Sequence, residues 1–223
     1  MKRLDLILLD LDGTLYSSTA TTVGAVGKAV SEFNGEFGLT VAVPSEDGIL
    51  GGIGLAREEY VAAVLPDVPE DHRGRMSDLI WRWEHALVES GHGSLFPGVK
   101  KTLAALHHDG YELAVATNAG TGYMDFILDH FEIRELFAET RCAGESGLLN
   151  KDDLIVDILG ALAVAPKRAV MVGDRRSDIV AARSAGTWAV GCTWGFATRD
   201  ELTRADRIID SFPQLHPLVE EWP

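Results

Sequence analysis

Cysteine is scarce in this sequence: Cys142 and Cys192 are the only two. So widely separated a pair has neither the spacing of a metal knuckle nor the density of a disulfide framework, and it fits reduced thiols of the cytosol. Long apolar runs are also missing. None approaches the ~20 residues that a membrane helix needs, so no spanning segment is expected. The opening residues do not read as a secretory signal, because Asp5 and Asp10 interrupt an apolar run too short for a signal core. Basic residues are outnumbered, 20 Lys and Arg against 34 Asp and Glu, which leaves a formal charge of −14 spread along the chain. A field of that sign repels phosphate backbones, and no basic patch stands against it, so nucleic acid is not an expected partner. These absences predict a cytoplasmic protein with no membrane partner, monomeric or weakly homo-oligomeric.

What is present is an ordinary globular composition, 46% apolar and 24% charged over 223 residues, enough for one good-sized domain carrying a smaller insert. Leu4 to Leu9 reads as a short, fully buried strand stopped by Asp-Gly. From Thr21 to about Gly91 the texture is helical. Val23, Val26, Val30, Phe33 and Phe37 share one helical face, and Met76, Leu79, Ile80, Trp83 and Leu87 share another on a helix expected from roughly Glu70 to Ser90. After Phe96-Pro97-Gly98, helix and strand alternate. Strands are predicted over Glu112–Ala116, Glu139–Ala143, Ala169–Val172, Trp188–Cys192 and Arg207–Ile209. Helices are predicted over Val99–His108, Tyr123–Phe131, Lys151–Leu162 and Asp178–Ser184. Strands separated by helices imply right-handed crossovers and a Rossmann-like parallel α/β sheet with helices on both faces. The helical block interrupts this pattern, so residues 17–91 read as an inserted α-helical cap and residues 1–16 with 92–223 as the core.

Ligands of an open parallel sheet bind beyond the carboxyl ends of its strands. Three predicted strands end there in polar residues: Asp10 and Asp12, Thr117 and Asn118, and Asp174. Lys151 opens a helix expected to reach the same edge. Crowded carboxylates repel one another unless a cation sits among them, and an oxygen-rich donor set favours Mg²⁺, whose shell keeps room for water or phosphate oxygens.

These residues resemble the motifs of the haloacid dehalogenase superfamily. Asp10-Leu11-Asp12-Gly13-Thr14-Leu15 is similar to its first motif, Thr117-Asn118 to its second, Lys151 to its third, and Gly173-Asp174-Arg175-Arg176-Ser177-Asp178 to its fourth. All four stand in the family's order, and the helical insert stands at its cap position. The resemblance implies an Mg²⁺-dependent phosphoric monoester hydrolase working through an aspartyl-phosphate. Asp10 would be the nucleophile and Asp12 the general acid and base. Thr117 and Asn118 would hold phosphoryl oxygens, and Lys151 would neutralise Asp10 and the phosphoryl group. Asp174, the Asp10 carboxylate and the Asp12 carbonyl would ligate Mg²⁺. Asp178 would either support the metal's waters or orient Lys151.

Two positions depart from the family pattern. Lys151 is followed by Asp152 and Asp153 where relatives often have proline, which leaves Lys100, Lys101 and Lys167 as alternatives. Tyr16-Ser17 replaces the commoner Val-Asp. The glycine-rich "DGILGGIGLARE", Asp47 to Glu58, has neither dinucleotide-loop nor P-loop spacing. It reads as a flexible loop of the cap, with Arg57 beyond it either gripping an anionic substrate group or simply solvated. The stretches "GCTWGF" and "IIDSFPQL" most resemble phosphoglycolate-phosphatase-like members, so the expected substrate is a small anionic phosphate monoester. The alternatives are a pyrophosphatase or sugar-phosphate mutase on the same machinery, or a catalytically idle binding protein.

Overall fold

The computed structural model describes residues 3–143 and 150–222. In chain order they form β1 (Leu6–Leu9), β2 (Tyr16–Ser17), α1 (Thr19–Phe37), α2 (Glu46–Gly51), α3 (Arg57–Val64), α4 (Arg73–Glu89) and β3 (Ser94–Leu95). There follow α5 (Val99–His108), β4 (Glu112–Thr117), α6 (Thr121–His130), β5 (Glu139–Cys142), α7 (Lys151–Ala161), β6 (Ala169–Gly173), α8 (Arg176–Ser184), β7 (Trp188–Cys192), β8 (Arg207–Ile209) and α9 (Leu215–Glu220). The chain divides into two compact units, 1–16 with 95–223, and 17–94.

The first unit is built on a six-stranded parallel sheet of order β5-β4-β1-β6-β7-β8. β1 lies at its centre, so all four of its residues are buried and it carries no polar alternation. Leu6 and Leu8 point to one face, where they join Leu154, Ile155 and Ile158 of α7 and Ile179 and Ala182 of α8 in a single apolar cluster. Ile7 and Leu9, alternating with them, point to the other face. On that side α5 lies against β4 and packs with α9. Burying each such aliphatic side chain contributes roughly 1.5–3 kcal/mol before entropy is set against it.

The register positions the chemistry. Leu9 stands level with Val115 of β4 and Val172 of β6. The Asp10 N–H still donates to the Val172 carbonyl (3.0 Å), so the ladder carries Asp10 out to the sheet's carboxyl edge before the chain turns. Thr117 and Asp174 lie just beyond the same level on the two flanking strands.

The second unit consists of α1 to α4. Val26, Val30 and Phe33 of α1 pack with Met76, Leu79, Ile80 and Leu87 of α4, while Trp83 is partly buried against them. At its edge the Trp83 indole N–H donates to Glu32 (3.0 Å), and Arg75 pairs with Glu36 (2.7 Å). Phe37, expected on the same stripe, is 36% exposed at the helix end, where Gly38 closes the helix in the left-handed conformation.

The glycine-rich segment departs from expectation. Glu46–Gly51 is a short helix rather than a flexible loop. Ser45 caps it through the Gly48 N–H (3.2 Å), Glu46 and Asp47 occupy its first turn, and Ile49 anchors it in the core. These start signals outweigh the helix-weakening glycines.

Candidate active site

The carboxyl edge of the first unit holds a buried cluster of opposite charges. Lys151, the first residue of α7, is only 6% exposed, and its ammonium donates to Asp10 Oδ1 (2.8 Å) and to Asp178 Oδ1. Asp178 Oδ2 accepts from the Arg175 N–H (2.8 Å) and so also closes the first turn of α8. Asp174 is wholly buried. Its Oδ2 accepts from the Phe196 N–H (2.7 Å) and its Oδ1 from the Thr14 hydroxyl (3.4 Å). Ligand atoms of Asp10, Asp174 and Asp178 lie within 4.8 Å of one another.

Close packing of backbone against Asp174 accounts for two glycines. A Cβ on Gly13 would stand 2.4 Å from an Asp174 carboxylate oxygen, and one on Gly195 would stand 2.3 Å from it. Gly13 also has φ of +82°, a conformation that side-chain-bearing residues avoid. The turn is further fixed by the Leu11 carbonyl, which accepts from the N–H groups of Thr14, Leu15 and Tyr16. The Trp194 indole donates to the Thr14 carbonyl (3.2 Å) and joins this turn to the loop after β7.

One ammonium against three buried carboxylates leaves a negative surplus, and the ionisation of the cluster reflects it. Burial raises the Asp10 pKa to about 7; Lys151 opposes the rise, and repulsion from Asp178 and Asp12 adds to it. Burial, then the charges of Asp178 and Asp10, raise Asp174 to about 8 against the Phe196 N–H and Arg175. Burial alone would lower the Lys151 pKa, but Asp10 and Asp178 outweigh it and hold the ammonium above its ordinary range. Burial, with the three carboxylates behind it, also pushes the Cys192 thiol up, which makes it an inert core residue. Hard oxygen donors, buried and mutually repelling, are the donor set that a small divalent cation such as Mg²⁺ satisfies.

The remaining sequence-predicted residues are Asp12, Thr117 and Asn118 in the first unit and Arg57 in the second. Asp12 is half-buried, and the Tyr123 hydroxyl donates to its Oδ1 (2.7 Å). Thr117 is buried at the end of β4, and its hydroxyl accepts from the Ala119 N–H (3.2 Å) in the turn that carries Asn118. Arg57 belongs to the second unit. There it donates to the Ser77 carbonyl (3.1 Å) and pairs with Asp78 (3.4 Å), joining α3 to α4. Sequence reasoning missed Thr14, Tyr123 and the Phe196 N–H. A backbone donor carries no residue signature, and Tyr123 is marked only by following closely on a polar strand end.

A parallel α/β sheet with an acid–lysine cluster at its carboxyl edge defines the class of protein. Residues 7–192 match the model of the haloacid dehalogenase-like hydrolase family. The chain belongs to that family. It is 31% identical over 222 residues to the phosphoglycolate phosphatase of Haemophilus influenzae, covering 94% of this chain and 96% of that one. It is 32% identical to the probable phosphatase IndB of Dickeya dadantii, covering 94% and 91%. Among solved structures it resembles a predicted phosphoglycolate phosphatase from Haemophilus somnus with a TM-score of 0.85 at 28% identity, covering 98% and 99% of the two chains.

Proposed function

We propose that this phosphatase of the haloacid dehalogenase family hydrolyses a small anionic phosphate monoester, of the phosphoglycolate type, through a phosphorylated Asp10. The observation that carries the reading is the buried Lys151 ammonium gripping Asp10 Oδ1 while Asp178 holds it from behind. With Oδ1 so held, Oδ2 is the attacking oxygen. Its bond to phosphorus forms as the ester P–O bond breaks, and the leaving oxygen takes the proton of Asp12. A water oxygen then bonds to phosphorus, the Asp10–phosphorus bond breaks, and the proton released by that water returns to Asp12. Thr117 and Asn118 bind phosphoryl oxygens, and Lys151 offsets the charge that gathers on Asp10 and the phosphoryl group. Both Asp178 oxygens are occupied by Lys151 and the Arg175 N–H, which supports a role in orienting Lys151. Asp10, Asp174 and the Asp12 carbonyl would hold Mg²⁺, which when bound supplies positive charge to the carboxylate cluster and the phosphoryl oxygens.

The relatives named phosphoglycolate phosphatase support the substrate class. The test is a panel assayed with Mg²⁺, with Asp10→Asn as the blank: 2-phosphoglycolate, other small phosphate monoesters, sugar phosphates, an aryl phosphate and pyrophosphate. Preference for the small anionic monoester is expected. Preference for pyrophosphate, or isomerisation of a sugar phosphate without release of phosphate, would replace the proposal with a pyrophosphatase or a mutase.

A further inference from the structure

A carboxylate can pass a proton only when its oxygen is held within about 2.6–3.2 Å of the reacting atom. The terminal torsion of aspartate is broad, so an unrestrained carboxylate spreads over many orientations. Asp12 is restrained from two sides. Its backbone lies in the tight turn after β1, where it bridges to Tyr16 and where the Gly13 N–H donates to the Tyr16 carbonyl (2.9 Å). Its side chain receives the Tyr123 hydroxyl at 2.7 Å, from 111 residues away in sequence. Tyr123 is itself set on the first turn of α6, immediately after β4, with its N–H donating to the Gly120 carbonyl (3.1 Å). The phenol thus reaches Asp12 from a rigid element rather than from a loop.

We propose that Tyr123 is the positioning residue for Asp12: its hydroxyl, donating to Oδ1, fixes the orientation in which the carboxyl group exchanges the proton with the leaving oxygen and then with water. The inference rests on the aspartyl-phosphate reading above and adds a residue to it. A hydroxyl donating to a carboxylate makes a charge-assisted hydrogen bond, stronger than a neutral one and more directional than a salt contact. The plain alternative is that the bond only fastens α6 to the turn after β1.

The two roles separate by leaving group. An aryl phosphate leaves with little acid help, whereas an alkyl phosphate needs a well-placed proton. In Tyr123→Phe, kcat for an alkyl phosphate should fall about ten- to a hundred-fold, the range expected for losing a hydrogen bond to a charged group, with KM nearly unchanged. Phosphorylation by the aryl ester should be largely retained. Phosphoenzyme should then accumulate, because the attack of water still needs an oriented base. In an Asp12→Asn background Tyr123→Phe should add almost nothing, since the group it positions has already lost its function. Should the phenylalanine variant fold poorly, a fluorotyrosine at position 123, which keeps the ring and alters the strength of the donor, must shift the alkyl-to-aryl ratio of phosphorylation rates. Equal slowing of phosphoenzyme formation from both esters, or of neither, with the wild type active would overturn the inference alone. If the wild type hydrolyses neither ester, the phosphatase reading falls, and the inference falls with it.

Discussion

The ionisation of Asp10 and Asp174 is set by burial and mutual repulsion, and this has a thermodynamic consequence. Their native pKa values, about 7 and about 8, lie well above the ordinary range of an aspartate carboxyl. Between roughly pH 4 and 8 the native state therefore binds more protons than the unfolded chain, and stability in chelator should fall as pH rises through that window. A cation that displaces those protons should stabilise more where the carboxylates are ionised. Added Mg²⁺ is thus expected to raise Tm more at pH 8 than at pH 5.5, and Asp174→Asn should both flatten the pH slope and shrink the Mg²⁺ effect. Equal Mg²⁺ shifts at the two pH values would show that the cation binds elsewhere. At this scale much of the cluster was legible: Asp10 and Asp174 stand at the ends of apolar strands, Lys151 opens a helix, and Asp178 belongs to the fourth motif of the resembled family. The partners that hold them were not. Thr14 and Tyr123 act through hydroxyls brought in by turns, and Phe196 acts through a backbone N–H.

At the scale of elements, hydrophobic periodicity was a good guide wherever it ran long enough. Val99–His108, Trp188–Cys192 and Arg207–Ile209 form as expected, and the Met76-to-Leu87 stripe lies against α1. Four elements escaped for physical reasons. α2 hides behind its glycines and is specified by its cap and one buried isoleucine. α9 contains Pro217, which reads as a breaker but sits in the first turn, where no intrahelical N–H is needed. β2 and β3 have two residues each, too few to show a period. The contacts of Arg57 also shape a prediction. Since it joins α3 to α4 through the Ser77 carbonyl and Asp78, Arg57→Ala should slow a small anionic ester and an aryl phosphate alike. Its ion pair is solvent-exposed, so the cost in stability should be small. A loss confined to the anionic ester, measured as kcat/KM on the two substrates, would instead assign Arg57 to specificity.

For the whole molecule, the parallel order of the sheet gathers groups from distant parts of the chain to one edge. Asp10 leaves the central strand, Thr117 and Asp174 leave its neighbours, and Lys151 comes from the start of a crossover helix. Sequence order alone concealed that convergence; the rule that ligands meet parallel sheets at their carboxyl ends recovered it. The central claim is that Asp10 becomes phosphorylated and that Asp12 moves the protons. Intact-mass analysis after acid quenching, during turnover of an aryl phosphate with Mg²⁺, tests both halves together. Asp12→Asn should accumulate an adduct of about 80 Da, because its nucleophile remains while the base that activates water is lost. Its steady-state rate should drop by at least the ~10²–10⁴-fold typical of a general acid–base group. Asp10→Asn should show neither adduct nor turnover. Turnover by Asp10→Asn, or an adduct on it, would contradict the account.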